Sequence, residues 1–421
     1  MPGAAHRGVA VAAASAALCL AAAPAALADD PSAKPSPQAK LPSALYGTKD
    51  PAYDGVWRQS VALLAQDTVG VTPARKAVDW LAGQQCSSGG FAPYRADAAA
   101  KCDAKTPVDS NATAVAVQAL AALGGRSAEV GKAVDWLKSK QNEDGGWGYA
   151  PGGPSDANST SVVIGALVAT GEKPEGVKSG KGKSAYDALL AFQLGCDTKG
   201  AESGAFAYQP DKKGRLAANA DASAAAALAG LGKGLALEPL GKDDNEDVTA
   251  LDCAETDSKD AREPDEAAGG AGAYLASALK KDGHLSALAP GADKPAPDYA
   301  NTADAALALA AGGHKDAAEV PLRWLEKNSA AWAKDSPAAL GSLVLAAHAT
   351  GADPRDFGGK DLVQQLNATG PKPEGTQPAK GASGEQASES DEGGFNVWWI
   401  VGVGLVAGIG IGFLFSNRKK T

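Results

Sequence analysis

Two kinds of apolar pattern alternate along this chain. In the first, apolar residues return every three or four positions among Lys, Asp and Trp: "ARKAVDWLAGQQ" (74–85), "EVGKAVDWLKSKQ" (129–141) and "SAYDALLAFQ" (184–193). That spacing puts the apolar side chains on one stripe of a helix and leaves the other face to water. In the second, small apolar residues run almost without charge: "DSNATAVAVQALAALG" (109–124), "DANSTSVVIGALVATG" (156–171) and "NADASAAAALAGLG" (219–232). A helix that is apolar all round has to be buried. Two weaker copies follow, "NTADAALALAAGG" (301–313) after "AGAYLASALKKDGHL", and "SPAALGSLVLAAHATG" (336–351) after "VPLRWLEKN".

What joins the two patterns also repeats. Each helix of the first kind ends in Gln and runs into a Gly-aromatic loop: "QQCSSGGFAPY" (84–94), "QNEDGGWGYAP" (141–151) and "QLGCDTKGAESGAFAYQP" (193–210). A fixed order of helix, loop, capping residues and helix marks a repeated hairpin. A ring of buried helices inside a ring of amphipathic ones satisfies both patterns. With an opening helix near 52–66 and a closing one near 359–368, about twelve helices in six hairpins are expected. The expected fold is all-α, an α/α toroid of about six helical hairpins; a straight helical solenoid is the alternative, because repetition alone does not prove closure.

Lys132-Ala133, Trp136-Leu137, Gln141 and Gly145-Gly146-Trp147 resemble the Gln–Trp repeat of squalene and hopene cyclases. The same toroid occurs in protein prenyltransferase β subunits, cobalamin carriers of the transcobalamin type and complement-like thioester domains. The resemblance spans residues 50–368 and is strongest in the first three units. It implies that Gln84, Gln141, Gln193 and Trp147 brace neighbouring hairpins.

The chemistry of those relatives is not matched. The cyclases use an Asp-x-Asp-Asp acid, which this sequence lacks, and His284, His314 and His348 stand in no prenyltransferase-like zinc motif. "SGEQ" (383–386) has Ser where a thioester domain needs Cys. "DDNED" (243–247) fits the Asp-Asp-x-x-Asp pattern of magnesium-diphosphate sites but follows the polar "PLGK" and reads as a solvated loop. No catalytic residue, metal or cofactor is therefore assigned, and the reading leans away from an enzyme.

The ends carry their own signals. Arg7, the apolar run 9–23 and Ala26-Leu27-Ala28 read as a signal peptide, residues 1–28. Residues 29–48 read as a disordered segment, 49–369 as the toroid, 370–394 as a Pro/Gly/Ser/Glu tether, 395–417 as a transmembrane helix and 418–421 as a cytoplasmic tail. The uncharged stretch 397–415 is flanked by Trp398 and Trp399 on one side and by Arg418, Lys419 and Lys420 on the other, which predicts a single-pass protein with its N-terminal domain outside the cell membrane. Four of the five cysteines, Cys86, Cys102, Cys196 and Cys253, remain after the signal peptide. An even number in an oxidising compartment suggests two disulfides, Cys86 with Cys102 as the easiest pair, which leaves Cys196 with Cys253, although three connectivities are open. The net charge of −9 argues against nucleic acid.

The candidate site lies at the starts of the buried helices. Asn111 and Thr113, Asn158 and Thr160, Asp221 and Ser223, Asn301 and Thr302 occupy similar places in successive repeats. Capping needs one such residue per helix, so the surplus is expected to face the cavity, with Tyr94, Tyr149 and Tyr208 on the same rim. The functional expectation is a membrane-tethered protein capturing a cobalamin-like or isoprenoid-like small molecule for uptake, with a transporter or a lid protein as partner. The alternatives are a terpenoid cyclase or prenyltransferase-type enzyme and a surface protein-interaction domain.

Overall fold

The computed structural model describes residues 41–198, 202–251, 253, 263–288 and 291–376. All of these belong to one compact unit. Residues 1–40 and 377–421, which include the predicted signal peptide, most of the tether and the transmembrane segment, lie outside the described residues. Among the described residues no helix is long and apolar enough to cross a membrane.

The unit is all-α. In chain order the helices are α1 (Gly55–Thr68), α2 (Arg75–Gly83), α3 (Ser110–Leu123), α4 (Ser127–Ser139), α5 (Ala157–Ala169), α6 (Ala185–Leu190) and α7 (Ala220–Gly230). They continue with α8 (Pro264–Leu279), α9 (Tyr299–Ala311), α10 (Lys315–Asn328), α11 (Ala330–Ala333), α12 (Pro337–Ala349) and α13 (Leu362–Ala368). Two short antiparallel ladders accompany them: β1 (Val71–Thr72) pairs with β4 (Gly375–Thr376), and β2 (Ser286–Ala287) with β3 (Ala296–Pro297).

The second pattern forms the interior. Helices α3, α5, α7, α9 and α12 are buried along most of their length, and α1, the predicted opening helix, joins them. These six pack in a closed cycle, α1–α3–α5–α7–α9–α12 and back to α1. Ala and Gly dominate because neighbouring backbones come close: a Cβ on Gly341 of α12 would lie 2.8 Å from Val61 of α1. The first pattern lies on the flanks, and α2, α4, α6, α8, α10 and α13 each pack on the inner helix before them. Helix α6 is shorter than its pattern, since Ser184 and Asp187 form a capping box that sets its start and the chain turns after Leu190. Helix α8 begins earlier than its pattern, with Pro264 at the first helical position.

Two disulfides, Cys86–Cys102 and Cys196–Cys253, tie down loops outside the helices. Their sequence separations are 16 and 57 residues, so the second constrains the longer segment.

Candidate functional site

The Gly-aromatic loops explain the repeat. Gln141 Nε2 donates to Gly145 O at 2.8 Å and to Val177 O, ahead of α6, at 3.2 Å. Gln193 Nε2 donates to Gly204 O at 3.1 Å and to Ala267 O of α8 at 2.8 Å. Each glutamine thus fastens its own loop to the next outer helix. In the first repeat the residue that does this is Gln85, which donates to Gly89 O at 2.8 Å and Glu129 O of α4 at 2.7 Å. Gln84, the expected brace, instead accepts from the Arg95 backbone N–H at 2.7 Å. The register of the brace is one residue later than expected because two glutamines stand side by side.

The glycine is equally constrained. Gly145 has φ +94°, and a Cβ there would lie 2.1 Å from Ser184 O; Gly89 has φ +101°, and a Cβ would lie 2.1 Å from Lys132 O. Only glycine allows both the left-handed backbone and the close approach. The aromatic that follows, Trp147, is fully buried, and its Nε1 donates to Leu137 O at 2.8 Å.

The expected site residues divide into two groups. Thr113, Thr160, Ser223 and Thr302 are 0 % exposed. Each hydroxyl accepts a loop backbone N–H: Phe91 N at 2.9 Å, Trp147 N at 3.1 Å, Phe206 N at 2.8 Å and Leu285 N at 3.0 Å. Each also donates to a nearby carbonyl, that of Asp109, Trp147, Asn219 or Asp298. These four hydroxyls latch the loops onto the inner helices. The caps are other residues, Asp109, Asp156, Asn219 and Asp298, whose side chains accept the N–H of Ala112, Ser159, Ala222 and Asn301.

Because the caps are supplied elsewhere, Asn111, Asn158 and Asp221 have no capping duty. The Oδ1 atoms of Asn111 and Asn158 are buried without a hydrogen-bond partner. The Asn158 amide lies beside the Asp221 carboxyl. Asn301 is taken up by its own cap, donating to Asp298 Oδ2 at 2.7 Å. The Tyr149 hydroxyl lies beside Asp109 and the Tyr208 hydroxyl beside Asp156; burial, then the neighbouring carboxylate, pushes both phenols up to about 12. Tyr94 stacks on Trp80 with ring centroids 6.3 Å apart and lies against Gly55 of α1.

Sequence reasoning passed over Asp304. It stands inside α9, where "NTADAALAL" places one acid in an apolar run. Burial, then the charges of Asp221 and Asp298, pushes its carboxyl up to about 8. Asp221 rises to about 6 through burial and the charges of Asp298 and Asp156, with Asn158 opposing. A lone acid in an otherwise apolar inner helix was the available signal.

The opposite ends of the inner helices hold a cavity of about 540 Å³. Leu64 of α1, Ala121 and Ala122 of α3, Val168 of α5 and Ala310 and Ala311 of α9 line it, and none of the expected site residues does. The non-repeating segment 232–240 forms its remaining wall with Lys233, Leu237 and Glu238. Gln118 holds that segment in place, accepting from Leu235 N–H at 2.9 Å and donating to Val162 O of α5 at 3.3 Å. Lys233 Nζ donates to Ala311 O at 2.6 Å, using a carbonyl left free where α9 ends. Leu240 N–H donates to Ala349 O at the end of α12, at 3.0 Å.

The acidic 243–247 stretch is largely exposed, and Asn245 and Asp316 exchange hydrogen bonds at the start of α10. Among the described residues no group of three His, Cys, Asp or Glu could hold a metal ion.

No known family profile and no curated protein matches this chain. A solved structure of a protein from Actinoplanes is similar at 13% identity, covering 74% of this chain and 95% of that one, with a TM-score of 0.45.

Proposed function

We propose that the helical unit is an α/α toroid that works as a membrane-tethered, extracytoplasmic binding protein for a small, largely apolar molecule. The observation that carries the reading is the 540 Å³ cavity at the C-terminal ends of the inner helices. Its size falls within the ~300–1,000 Å³ range of small-molecule sites, and its make-up is the usual one, an apolar wall with a few placed polar groups. The closed cycle of inner helices supports the toroid, and the two disulfides fit an oxidising compartment. The lining favours an isoprenoid-like ligand over a corrinoid. A corrinoid carries a fringe of amides that need polar partners, and here Gln118 already spends both ends of its amide on backbone groups. The segment 232–240 acts as a built-in lid that moves aside for loading.

The test is a thermal-shift series on the purified full chain with farnesol, geranylgeraniol, cyanocobalamin and haem, repeated on Ala122→Trp, which fills the cavity. The expected result is stabilisation by an isoprenoid alcohol that disappears in the variant. Stabilisation by cyanocobalamin alone, or an isoprenoid effect unchanged in Ala122→Trp, overturns the assignment. Mass spectrometry of the recovered isoprenoid separates binding from catalysis, and a cyclised product would favour the terpenoid-cyclase reading.

A further inference from the structure

The other end of the inner helices has a different chemistry. Asp221 starts α7, Asp304 lies one turn further along in the neighbouring α9, and Asn158 reaches Asp221 from α5. Both acids are surrounded by protein yet keep some accessible surface. The groups facing them are Asp298 at the start of α9, Asp156 at the start of α5, the Asn158 amide and the Tyr208 phenol. No Lys, Arg or His acts on either acid.

Two further atoms point the same way. Asn158 Oδ1 is buried without a hydrogen-bond partner. Ser161, one turn along the same stripe of α5, is 5 % exposed, and its Oγ also has no partner. Buried polar atoms in folded proteins are nearly always satisfied, so unsatisfied ones ask for an explanation. Here the free groups are an amide oxygen, a hydroxyl that can turn its lone pairs inward and two carboxyls, of which Asp304 becomes a full acceptor once its proton has left. What such a set lacks is a donor with positive charge. An anion is repelled, and a neutral apolar group leaves the acceptors unpaired. A metal ion is disfavoured by the absence of a three-ligand cluster among the described residues.

We propose that the N-terminal ends of α5, α7 and α9 together bind an organic ammonium group, held by Asp221, Asp304 and the Asn158 amide oxygen. A primary ammonium has three N–H donors in a compact head, matching three acceptors on three helices. The site is separate from the apolar cavity, and the inference stands independently of the function proposed above. Binding is noncovalent and releases a proton. The ammonium pairs with ionised Asp304, and the proton that this carboxyl holds in the empty site goes to solvent. Affinity therefore falls about tenfold for each pH unit below 8, until other groups titrate.

The experiment titrates the purified full chain with n-hexylammonium chloride by calorimetry at pH 8 and pH 6, with n-hexanol, sodium and calcium as comparators. Asp221→Asn/Asp304→Asn keeps the shape of both side chains, and its melting temperature at pH 5 checks that it folds. Three results are expected: binding of hexylammonium at pH 8, weakening of tenfold or more at pH 6, and loss in a folded double variant. Runs at pH 7 in two buffers of different protonation enthalpy should also show proton release. Equal binding of hexanol, preference for calcium, unchanged binding in the variant, or no hexylammonium binding at millimolar concentration each overturns the proposal. If the double variant fails to fold, Asn158→Leu takes its place, with the same losses expected.

Discussion

At the N-terminal ends of the inner helices, four hydroxyls hold four loop segments in the same way. At the C-terminal ends, one segment that occurs only once, residues 232–240, does the covering. The first end repeats because each hairpin faces the same problem. In the first three, a loop carrying a buried aromatic must be fixed to its own inner helix and to the next outer one, and Thr or Ser with Gln solves both; the fourth keeps only the hydroxyl, Thr302 on Leu285. The second end has no repeated solution, so it was free to acquire a particular wall and a particular cavity. Repetition here marks what holds the fold, and its interruption marks where specificity can reside.

The comparison can be broken most severely at Trp147. Replacing it with Ala should cost about 3–5 kcal/mol, the usual range for deleting a fully buried large aromatic, read as a drop in the urea midpoint of the full chain. A loss below 1 kcal/mol would mean that the loop end is not what holds the hairpins together.

A smaller effect sharpens the register. Gln85→Ala leaves the carbonyls of Gly89 and Glu129 without their shared donor and should cost about 1–3 kcal/mol. Gln84→Ala removes one bond to the Arg95 N–H and should cost about 1 kcal/mol. If chemical denaturation ranks the two the other way, the one-residue correction to the brace is wrong.

A separate test lies in pH dependence. The Asp304 carboxyl is neutral in the fold up to about 8, while in the unfolded chain it ionises near 3.8. Between those values the native state holds the extra proton, so stability declines as pH rises through that window and is level above it. Asp304→Asn should flatten the fall in melting temperature between pH 5 and pH 8. An unchanged slope would mean that Asp304 is ionised in the fold.

Much of the scaffold was legible because helices encode their burial in their period. The contrast between "EVGKAVDWLKSKQ" and "DANSTSVVIGALVATG" separates outer from inner without further information. Both disulfides, Gln141, Gln193 and Trp147 were legible for the same reason, since they recur or come in an even count. The candidate site was harder to read. "DSNAT" offers four residues able to cap, and only the geometry shows that Asp109 caps, Thr113 latches and Asn111 does neither. Asp304 was missed because an acid in a helical run ordinarily reads as one solvated position. The cavity wall at 232–240 was invisible because nothing in "GKGLALEPL" repeats, and its place depends on a bond from Gln118, 117 residues away.

The seam between α1 and α12 has a consequence for how the molecule is made. Gln66 on α1 donates to Asn367 on α13, 301 residues later, Gly47 N–H donates to Thr369 O, and β1 pairs with β4. An open array of hairpins could fold from its first repeat onward as it is synthesised, each new unit settling on the last. In this chain the first-made helix keeps one apolar flank uncovered until the last-made hairpin arrives. Its folding is therefore expected to reach completion only once the final repeat is made, and a truncation that removes α12 and α13 also strips α1 of its partner. The same proximity makes the seam a natural splice point. Linking the two ends near the seam and reopening the chain in an exposed loop between two hairpins would give a permuted protein with a different hairpin waiting for closure.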